Sequence, residues 1–529
     1  MTEAQFDVLA RYGERRHFAA GTVLFEQGER HIPMFVIIAG AIEVSRGSAL
    51  GSHVIGTHGP GSFTGEAGTL AGRAASATGR AVADCVLLVI AEEALRTLVI
   101  TEAELSETIM RAYILRRVAF IEDQAGGVVL VGSQNSEHTL RLREFMARNG
   151  QPAAYFDVDQ HAETAALMAR FGIAPGDIPA VVTPQGLVLA RPSLRELADA
   201  TGSSPDSLDG RQFDVAVIGA GPGGLAAAVY AASEGLRVVV LDAKAPGGQA
   251  GTSSKIENYF GFPTGVSGQA LAGRGLSQAR KFGAEVAVPF IITDVACGGG
   301  PFPYDVGLDS GERVRARTIV IATGARYRKP GLAELARFEG RGVYYNASFM
   351  EATFCANEEV VVVGGGNSAG QAAVFLSRHA RHVHIVVRGA GLADSMSHYL
   401  IQRIEAAPNI TLHSRTRVVA LEGEAHLERV RLDPEQVLAV RSLFLFLGAE
   451  PNTSWLGDCV ALDDKQFVLT GSALPPGAWP LARDPHFLET SRPGIFAVGD
   501  VRSGSVKRVA AAVGEGAAAV QSLHQVLSG

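Results

Sequence analysis

Apolar and polar residues alternate along the first part of the chain, and the spacing then becomes helical. Alternation between glycines, which is typical of short antiparallel strands, occurs in FAAGTVLFEQGE and MFVIIAGAIEVSR. From Ala91 to about Asp123 the apolar residues recur at helical spacing. The pattern therefore predicts a unit of β-strands followed by helices over residues 1–124.

The next stretch, residues 125–200, predicts a small α/β layer. A buried strand, GVVLVG, is followed by the helix SEHTLRLREFMARNG, which Ser136 opens and Gly150 ends. A strand, a helix and the strand IPAVVT complete the order β-α-β-α-β. The polar segment TGSSPDSLDG at 201–210 is a predicted linker.

From Phe213 onward, Val/Ile-rich strands alternate with Ala-rich helices. This doubly wound α/β pattern occurs twice, near 213–242 and near 359–388. At roughly 150 residues per domain, a chain of this length suggests about three or four domains. The predicted fold class is therefore α/β with several domains.

Composition and charge exclude several classes of protein. The net charge of −7 gives no general attraction to nucleic acid or to an anionic membrane. We find no apolar run long enough for a membrane helix and no apolar signal core at the N-terminus, so a cytoplasmic protein is expected. Cys85, Cys297, Cys355 and Cys459 are far apart in sequence, so neither a disulfide scaffold nor a metal site is predicted.

The segment DVAVIGAGPGGLAAAVYAASEGLRVVVLD predicts a dinucleotide-binding loop. Gly219 permits the tight turn after the strand, Gly221 lets the backbone approach a pyrophosphate, and Gly224 allows close packing of helix on strand. The start of the helix, with Gly223, offers free N–H groups to the phosphates. Asp242 ends the second strand, where a carboxylate can accept a hydrogen bond from a ribose hydroxyl.

A second loop lies in EEVVVVGGGNSAGQAAVFLSRHARHVHIVVRG. Its second strand ends at Arg388 rather than at an acid, which favours NADPH over NADH, although a solvated strand-end arginine is the alternative. Two loops in one chain predict one dinucleotide that stays tightly bound and a second that binds and dissociates. The residues predicted to bind the nicotinamide cofactor are Gly364, Gly366, Asn367, Ser368, Ala369 and Arg388.

Residues 211–529 resemble the low-molecular-weight thioredoxin reductases, which use FAD and NAD(P)H. The resemblance rests on the two loops and on PGGQ, KIENYFGFP, TIVIATGA, FLFLGAEPN, GIFAVGDV and KRVAAAVGEGA, in this order. It implies a homodimer, an FAD-binding domain at 211–326 and 450–529, and an NAD(P)-binding domain at 327–449. The further FAD-binding residues that it implies are Gly248, Gln249, Asn258, Thr323, Gly324, Asp500, Arg508, Val509 and Ala510.

The chain departs from that family where the electrons should leave the flavin. The family has a CxxC followed by an acid before the second loop, and here both thiols are replaced, by Ala347 and Met350. Glu351 retains the acid and could donate a proton, with a surface carboxylate as the alternative. Cys355 is a candidate thiol, with a small packing side chain as the alternative. The family's arginines for the NADPH phosphate are reduced to Arg388.

Residues 14–100 resemble a cyclic-nucleotide-binding domain of β-roll fold. In GSFTGEAGTLAGRAASATGRA, Glu66 stands where the family contacts the ribose 2′-hydroxyl. The arginine that normally neutralises the cyclic phosphate is replaced by Ala75, and Arg73 is the nearest substitute. Because a buried phosphate without a cation is costly, a degenerate pocket that serves for docking or dimerisation is favoured over cyclic-nucleotide binding.

The predicted α/β layer resembles a glutaredoxin or thioredoxin-like fold that lacks its CxxC. Ser136, Glu137, His138 and Thr139 occupy those positions, so the helix cap remains but thiol exchange cannot occur. The bond Ile178–Pro179 is predicted to be cis, as in that fold. This unit is expected to be structural or to offer a surface to a redox partner.

Three functions remain open from the sequence. The first is an enzyme in which NAD(P)H reduces FAD and the flavin reduces an acceptor directly, either a small molecule or a small redox protein. The second is a thioredoxin reductase with atypical cysteine use, which requires Cys355. The third is a flavoprotein that senses a cyclic nucleotide or redox state with little turnover.

Overall fold

The computed structural model describes most of the chain. The described residues are 3–48, 51–71, 74–122, 127–151, 153–160, 163–204, 207–253, 256, 259–339, 341–345, 347 and 349–528. No helix in these ranges is long and apolar enough to cross a membrane. Nor do they contain a group of three or more His, Cys, Asp or Glu residues that could hold a metal ion.

The N-terminal unit is a β-roll with helices at its ends. Its strands are β1 (Glu14–Phe18), β2 (Val23–Phe25), β3 (Met34–Ala39), β4 (Ile42–Ser48), β5 (Gly51–His58), β6 (Phe63–Thr64), β7 (Thr78–Ala81) and β8 (Cys85–Ile90). Its helices are α1 (Glu3–Leu9), α2 (Glu66–Ala71), α3 (Glu92–Thr101) and α4 (Ala103–Glu122). The two sheets have the orders β1-β8-β3-β6 and β2-β7-β4-β5. Alternation along β3 sends Met34 and Val36 into the helix-side core and Phe35 and Ile37 into the core between the sheets.

The second unit is a small sheet with helices. Its elements are β9 (Val128–Gly132), α5 (Glu137–Arg148), β10 (Ala153–Asp157), α6 (Glu163–Phe171), β11 (Ala180–Val182), β12 (Val188–Ala190) and α7 (Leu194–Ala200). The strand order is β10-β9-β11-β12, with β10 parallel and β11 antiparallel to β9. The Ser136 hydroxyl caps α5 by accepting from Thr139 N at 3.4 Å, and the Ile178–Pro179 bond is cis, so both predictions are confirmed. β12 and α7 extend the predicted order by one strand and one helix.

The predicted FAD-binding part is built on a mainly parallel sheet. Before the nicotinamide part it contains β13 (Gln212–Ile218), α8 (Pro222–Ser233), β14 (Val238–Leu241), α9 (Gly268–Lys281), β15 (Glu285–Ala287), β16 (Ile292–Cys297), β17 (Tyr304–Leu308), β18 (Arg313–Ile321) and β19 (Ala325–Tyr327). The path β15-β14-β13-β18-β17-β16 is parallel from β15 to β18, and a later strand also pairs with β18. Helices α8 and α9 pack on one face of this sheet, and apolar residues between 456 and 468 pack on the other, so both faces are buried.

The predicted nicotinamide part repeats the parallel arrangement on a smaller scale. Its helices are α10 (Leu335–Phe338), α11 (Phe349–Phe354), α12 (Asn367–Leu376) and α13 (His398–Glu405). Its strands are β20 (Val343–Tyr344), β21 (Glu359–Val363), β22 (His382–Val386), β23 (Ile410–His413), β24 (Arg417–Glu422), β25 (Arg429–Asp433), β26 (Gln436–Leu438) and β27 (Ser442–Leu445). The main sheet has the parallel order β20-β27-β21-β22-β23, and β24-β25-β26 form an antiparallel sheet.

The chain then returns to the first sheet. The returning elements are β28 (Ala449–Pro451), β29 (Ile495–Ala497) and α14 (Val509–Ser528). β28 pairs with β19 where the chain crosses between the two parts, and β29 adds to β18. A Cβ atom added at Gly516 would overlap the carbonyl oxygen of Gly223, so glycine lets α14 lie directly against α8. The α/β fold class is confirmed, while the domain boundaries stay predictions.

Candidate functional site

The first glycine loop joins β13 to α8 at the carboxyl edge of the parallel sheet. Gly219 has φ 108°, and a Cβ atom there would overlap the carbonyl oxygen of Ala322 on the next strand. A Cβ atom at Gly224 would overlap the carbonyl oxygen of Gly219, so helix and loop pack too closely for any side chain. Gly221 is the N-cap of α8 and has no side chain to obstruct its N-terminus. The free N–H groups of that first turn are the kind that bind phosphate.

Asp242 fixes this loop from the end of β14. Its Oδ2 accepts from Ala220 N at 2.8 Å, and its Oδ1 accepts from Lys244 N at 2.9 Å and from Ala245 N at 3.0 Å. The carboxylate therefore ties the glycine loop to the segment that leads into PGGQ. Contact with a ribose hydroxyl stays a prediction.

The second loop joins β21 to α12 in the same way. Gly364 has φ 142°, and a Cβ atom there would overlap the carbonyl oxygen of Phe446. Gly366 is the N-cap of α12, and Ala369, in the first turn of this helix, is fully buried. The side-chain oxygen of Asn367 accepts from Ser397 N at 2.7 Å, which anchors the first turn of α12 to the start of α13.

Both loops open into one large cleft, which we call the cofactor cleft. Its volume is about 1110 Å³, large enough for a dinucleotide cofactor. The predicted site residues that line it are Gly219, Gly221, Gly223, Asp242, Gly248, Gln249, Thr323, Gly324, Asp500, Arg508, Val509, Asn367, Ser368 and Glu351. A single space therefore receives residues from both nucleotide-binding parts.

Other predicted residues do not line the cofactor cleft. Gly224 and Gly364 are close-packing positions of the loops, Ala369 is buried, Gly366 is the N-cap of α12, and Cys355 lies in the core. Ala510 is exposed on α14, while Ala512, two residues later, lines the cleft instead. Asn258 and Arg73 lie outside the described residues. Arg388 is exposed and does not line the cleft.

Asp500 and Lys507 are two neighbouring charged residues of the cleft wall. Burial raises the pKa of the Asp500 carboxyl, although Lys507 lies close enough to oppose this shift. Burial also lowers the pKa of Lys507, whose Nζ donates to the carbonyl oxygen of Asp500 at 2.5 Å. The carboxylate is therefore poorly solvated, a state in which hydroxyl donors from a ligand would stabilise it. Lys507 was not predicted from the sequence.

One wall of the cofactor cleft comes from the thioredoxin-like unit, which the sequence did not predict. This wall is one face of α5, with residues at helical spacing. They are Glu137, Leu140, Arg141, Glu144 and Arg148. Alternating acidic and basic residues on one helix face are visible in the sequence, but they are equally typical of a solvated face.

The two ends of α5 contact the two nucleotide-binding parts. At its C-terminal end, an Nη atom of Arg148 donates to the carbonyl oxygen of Gly248 at 2.8 Å. Nearby, Asn149 Nδ2 donates to the carbonyl oxygen of Lys244 at 3.2 Å. Before its N-terminal end, the carbonyl oxygen of Asn135 accepts from Arg341 Nε at 3.1 Å. The helix therefore connects the segment that carries PGGQ with the nicotinamide part.

The acid and the thiol proposed for catalysis have different surroundings. Glu351 is 7% exposed and lines the cofactor cleft. Cys355 is fully buried, and its thiol donates to the carbonyl oxygen of Glu351 at 3.4 Å. Burial raises the pKa of Cys355 to about 12. A thiol that stays protonated in the core is a packing side chain rather than a nucleophile.

We call the segment GSFTGEAGTLAGRAASATGRA, residues 61–81, the cyclic-nucleotide cassette. Several of its polar groups form hydrogen bonds with other parts of the chain. Glu66 is 1% exposed, and its Oε1 accepts from Arg116 of α4 at 2.6 Å. The backbone N–H of Ala74 donates to the carbonyl oxygen of Gly202 at 3.4 Å, and Arg30 donates to the same carbonyl at 3.3 Å. Oε1 of Glu66 is therefore paired with α4, and the N–H of Ala74 is paired with the predicted linker, whereas Oε2 of Glu66 has no hydrogen-bond partner among the described residues.

Comparison with known proteins agrees with this geometry. The family model for pyridine nucleotide-disulphide oxidoreductases matches residues 213–516, more than half of the chain. The chain belongs to this family. A model for the cyclic nucleotide-binding domain matches residues 15–102.

The relatives of this pyridine nucleotide-disulphide oxidoreductase include plant and bacterial proteins. NADPH-dependent thioredoxin reductase 3 of Arabidopsis thaliana is 32% identical over 64% of this chain and 63% of that protein. Thioredoxin reductase of Treponema pallidum is 33% identical over 59% of this chain and 95% of that protein. The crystal structure of Lactococcus lactis thioredoxin reductase in its FR conformation matches with a TM-score of 0.54 and 27% identity, over 60% of this chain and 99% of that one. Thioredoxin reductase of T. acidophilum gives the same TM-score at 28% identity, over 60% of this chain and 98% of that one.

These findings confirm the resemblance to thioredoxin reductases and the N-terminal resemblance to a cyclic-nucleotide-binding domain. They also confirm that the chain is an FAD-dependent oxidoreductase of a family that uses FAD and NADPH. The acceptor and the roles of individual residues stay predictions.

Proposed function

We propose that NAD(P)H reduces FAD in the cofactor cleft and that the reduced flavin passes its electrons directly to an external acceptor. The observation that carries this proposal is that none of the four cysteines of the chain lines the cleft which both glycine loops share. Without a dithiol beside the flavin, no protein disulfide can act as the relay. The acceptor is then a small molecule or a small redox protein that reaches the cleft itself.

The residues of the cleft fit an FAD. Gly219, Gly221 and the first turn of α8 would bind the pyrophosphate, because any side chain there would obstruct the approach of the phosphates. Asp500, dehydrated by burial, would accept hydrogen bonds from the ribityl hydroxyls. Gln249 would lie beside the ring. FAD, when bound, supplies the ring that accepts hydride, and the chain orients it and limits the access of water.

The residues at α12 would bind the nicotinamide cofactor. The start of α12 offers its free N–H groups to the second pyrophosphate, with Asn367 and Ser368 at the wall of the cleft. Arg388, exposed two residues after β22, would attract a 2′-phosphate, which is why we propose NADPH rather than NADH. Glu351, buried at the cleft wall, is the candidate proton donor to the acceptor.

Two alternatives require other chemistry. The relatives are named thioredoxin reductases, and a thioredoxin reductase with atypical cysteine use would need Cys355, whose complete burial opposes that role. A sensor of cyclic nucleotides would need the cassette, where Glu66 is engaged by Arg116. We also propose that the protein is cytoplasmic and that it forms a homodimer. Light scattering of the purified protein can check the homodimer.

The deciding experiment is the anaerobic addition of NADPH, and separately of NADH, to the purified flavoprotein. We expect the visible absorption band of oxidised flavin to bleach, more rapidly with NADPH. A band that persists with both nucleotides would refute the proposal. The reduced protein is then mixed with quinones, small disulfides, oxygen and thioredoxin in turn.

Cys355→Ser provides the matched control for the choice of acceptor. We expect this variant to reduce every acceptor at the rate of the unmodified protein, because the thiol is part of the core. Loss of thioredoxin reduction alone, with flavin content unchanged, would instead establish the atypical thioredoxin reductase.

A further inference from the structure

Two cysteines that are far apart in sequence lie side by side in the FAD-binding part. Cys297 is the last residue of β16, and Cys459 follows the 3₁₀ turn Ser454–Leu456. Their Sγ atoms are 3.0 Å apart, about 1 Å more than the length of a disulfide bond. Only a small side-chain movement separates this pair from a covalent cross-link.

The surroundings make the two thiols unequal. Cys297 is exposed, whereas Cys459 is partly buried. Burial and, after it, the neighbouring Cys297 raise the pKa of Cys459 to about 12, while Arg492 opposes the shift. Cys297 is therefore the thiol that a reagent in solution meets first.

A cavity of about 600 Å³ lies beside Cys459. Its wall includes Arg492, whose Nε donates to the carbonyl oxygen of Cys459 at 3.0 Å, and also Asp458. Arg492 is exposed and forms no ion pair with any residue that the structure describes. Its charge is therefore available to an anionic group on a small molecule held in this cavity.

We propose that Cys297 and Cys459 form a thiol–disulfide exchange site that small, carboxylate-bearing disulfides oxidise. In the first step, the Cys297 thiolate attacks one sulfur of the small disulfide, whose S–S bond breaks. The first small thiolate leaves and takes up the proton that Cys297 has lost. In the second step, the Cys459 thiol loses its proton to solvent, and its sulfur attacks Sγ of Cys297. The bond between Cys297 and the second small sulfur breaks, and the second small thiolate leaves and takes up a proton from solvent.

The exchange balances without any other reactant. Two protein thiols are oxidised to one protein disulfide, and one small disulfide is reduced to two small thiols. The flavin is not the source of these electrons, because Ile292 lines the cofactor cleft at the opposite end of β16. At about 3.3 Å per residue, Cys297 lies roughly 17 Å along the strand from that point. The site therefore responds once to the small-disulfide pool and does not turn over.

The test uses the reduced, FAD-loaded full-length protein and glutathione disulfide as the probe. After incubation and denaturation, free thiols are counted with a maleimide and the intact mass is measured. We expect two of the four thiols to be lost and the protein to become lighter by two hydrogen atoms. Peptide mapping should find Cys297 linked to Cys459, with Cys85 and Cys355 still reduced because both are buried.

Variants separate this proposal from incidental oxidation. Cys459→Ser should trap a stable glutathione adduct on Cys297, and Cys297→Ser should slow the loss of the remaining thiols to the rate of the buried cysteines. Cys355→Ser, the matched control, should still lose two thiols. Four thiols that all remain after incubation, or adducts on each cysteine alike, would overturn the proposal.

The substrate class has its own test. Arg492→Gln should slow oxidation by glutathione disulfide several-fold, and it should leave oxidation by the neutral hydroxyethyl disulfide unchanged. Equal slowing with both reagents would refute the recognition of a carboxylate by Arg492. Flavin content, measured in every variant, reports that the fold is intact.

Discussion

The cofactor cleft and the cyclic-nucleotide cassette are both nucleotide sites by sequence, and they differ in what their polar groups contact. In the cleft, Asp500 is poorly solvated and the free N–H groups at the start of α8 face an open space. In the cassette, Glu66 is held by Arg116 and the N–H of Ala74 donates to the predicted linker. A group that the chain has already engaged must give up that contact before it binds a ligand, which weakens binding.

This difference teaches that a motif and a binding site are separate properties. A glycine motif describes backbone that approaches another group closely. A cassette can keep its fold after its acid has acquired a partner within the chain. The comparison therefore predicts large effects on ligand binding in the cleft, and effects on stability in the cassette.

The largest expected effect follows from Gly219→Ala. The new Cβ atom would overlap the carbonyl oxygen of Ala322 while φ is 108°, so the loop cannot keep its shape and FAD should be lost. Gly235→Ala is the matched control, because φ there is 86° and nothing lies within 4 Å of the added atom. Flavin content per chain measures both. A Gly219→Ala protein that is yellow and carries its full content of FAD would contradict the role that we propose for the first glycine loop.

The glycine loops were predictable because local sequence determines them. Strand, glycines, helix and Asp242 lie within one continuous segment, and the periodicity of each element is visible in it. The cap at Ser136 was predictable for the same reason, whereas the cis bond before Pro179 was predicted from the resemblance to a thioredoxin-like fold. Short-range rules therefore predicted most elements and both glycine loops, whereas the other predicted FAD-binding positions came from the resemblance to thioredoxin reductases.

The rest depends on contacts between distant segments. Nothing in the sequence near Arg148 indicates that α5 would lie across the cleft, because a charged helix face is also typical of solvent exposure. Cys297 and Cys459 come together only through the pairing of strands and the return of the chain. Ala510 was predicted to bind FAD from the family resemblance, and the structure places it on the exposed face of α14. Tertiary packing decides each of these cases.

Arg116→Ala should give the largest effect in the cassette. Removing Arg116, whose side chain is 34% exposed, leaves the buried Glu66 without its cation, which costs about 2 kcal/mol of stability after the discount for solvent screening. The thermal unfolding of the N-terminal unit should shift to lower temperature, while flavin content stays unchanged. Arg96→Ala is the control, because its pair with Glu92 joins i and i+4 on one partly exposed helix. Equal effects of the two substitutions would contradict a special role for the buried pair.

Arg148→Ala tests the wall that α5 contributes to the cleft. The substitution leaves the carbonyl oxygen of Gly248 without its 2.8 Å donor, so the segment that carries PGGQ becomes less ordered. We expect FAD to bind about tenfold more weakly, equivalent to about 1.4 kcal/mol. Arg141→Ala on the same face is the control, because Arg141 donates to Glu137 of its own helix. Flavin fluorescence on dilution measures the affinity of both variants.

The stability of the N-terminal unit should depend on pH through the titration of Glu66. Burial raises its folded-state pKa above the unfolded value, although Arg116 opposes the shift. The stability that the protonated carboxyl contributes is therefore complete below the unfolded pKa and is lost as the pH rises through the folded pKa. Glu66→Gln, which cannot ionise, should flatten that part of the profile. An unchanged slope in chemical unfolding across this range would contradict the assignment.

The smallest expected effect is the response to cyclic nucleotides themselves. Glu66 is engaged by Arg116, and the N–H of Ala74 is engaged by Gly202, so a ligand must displace contacts that the chain already makes. Calorimetry with cAMP and with cGMP should therefore give no binding heat even at millimolar ligand. Because Arg30 holds the linker by donating to Gly202, Arg30→Ala should weaken the linker contact and is the variant in which heat would first appear. Tight binding by the unmodified protein would mean that the cassette, like the cofactor cleft, still serves a ligand, and the contrast between the two sites would then be lost.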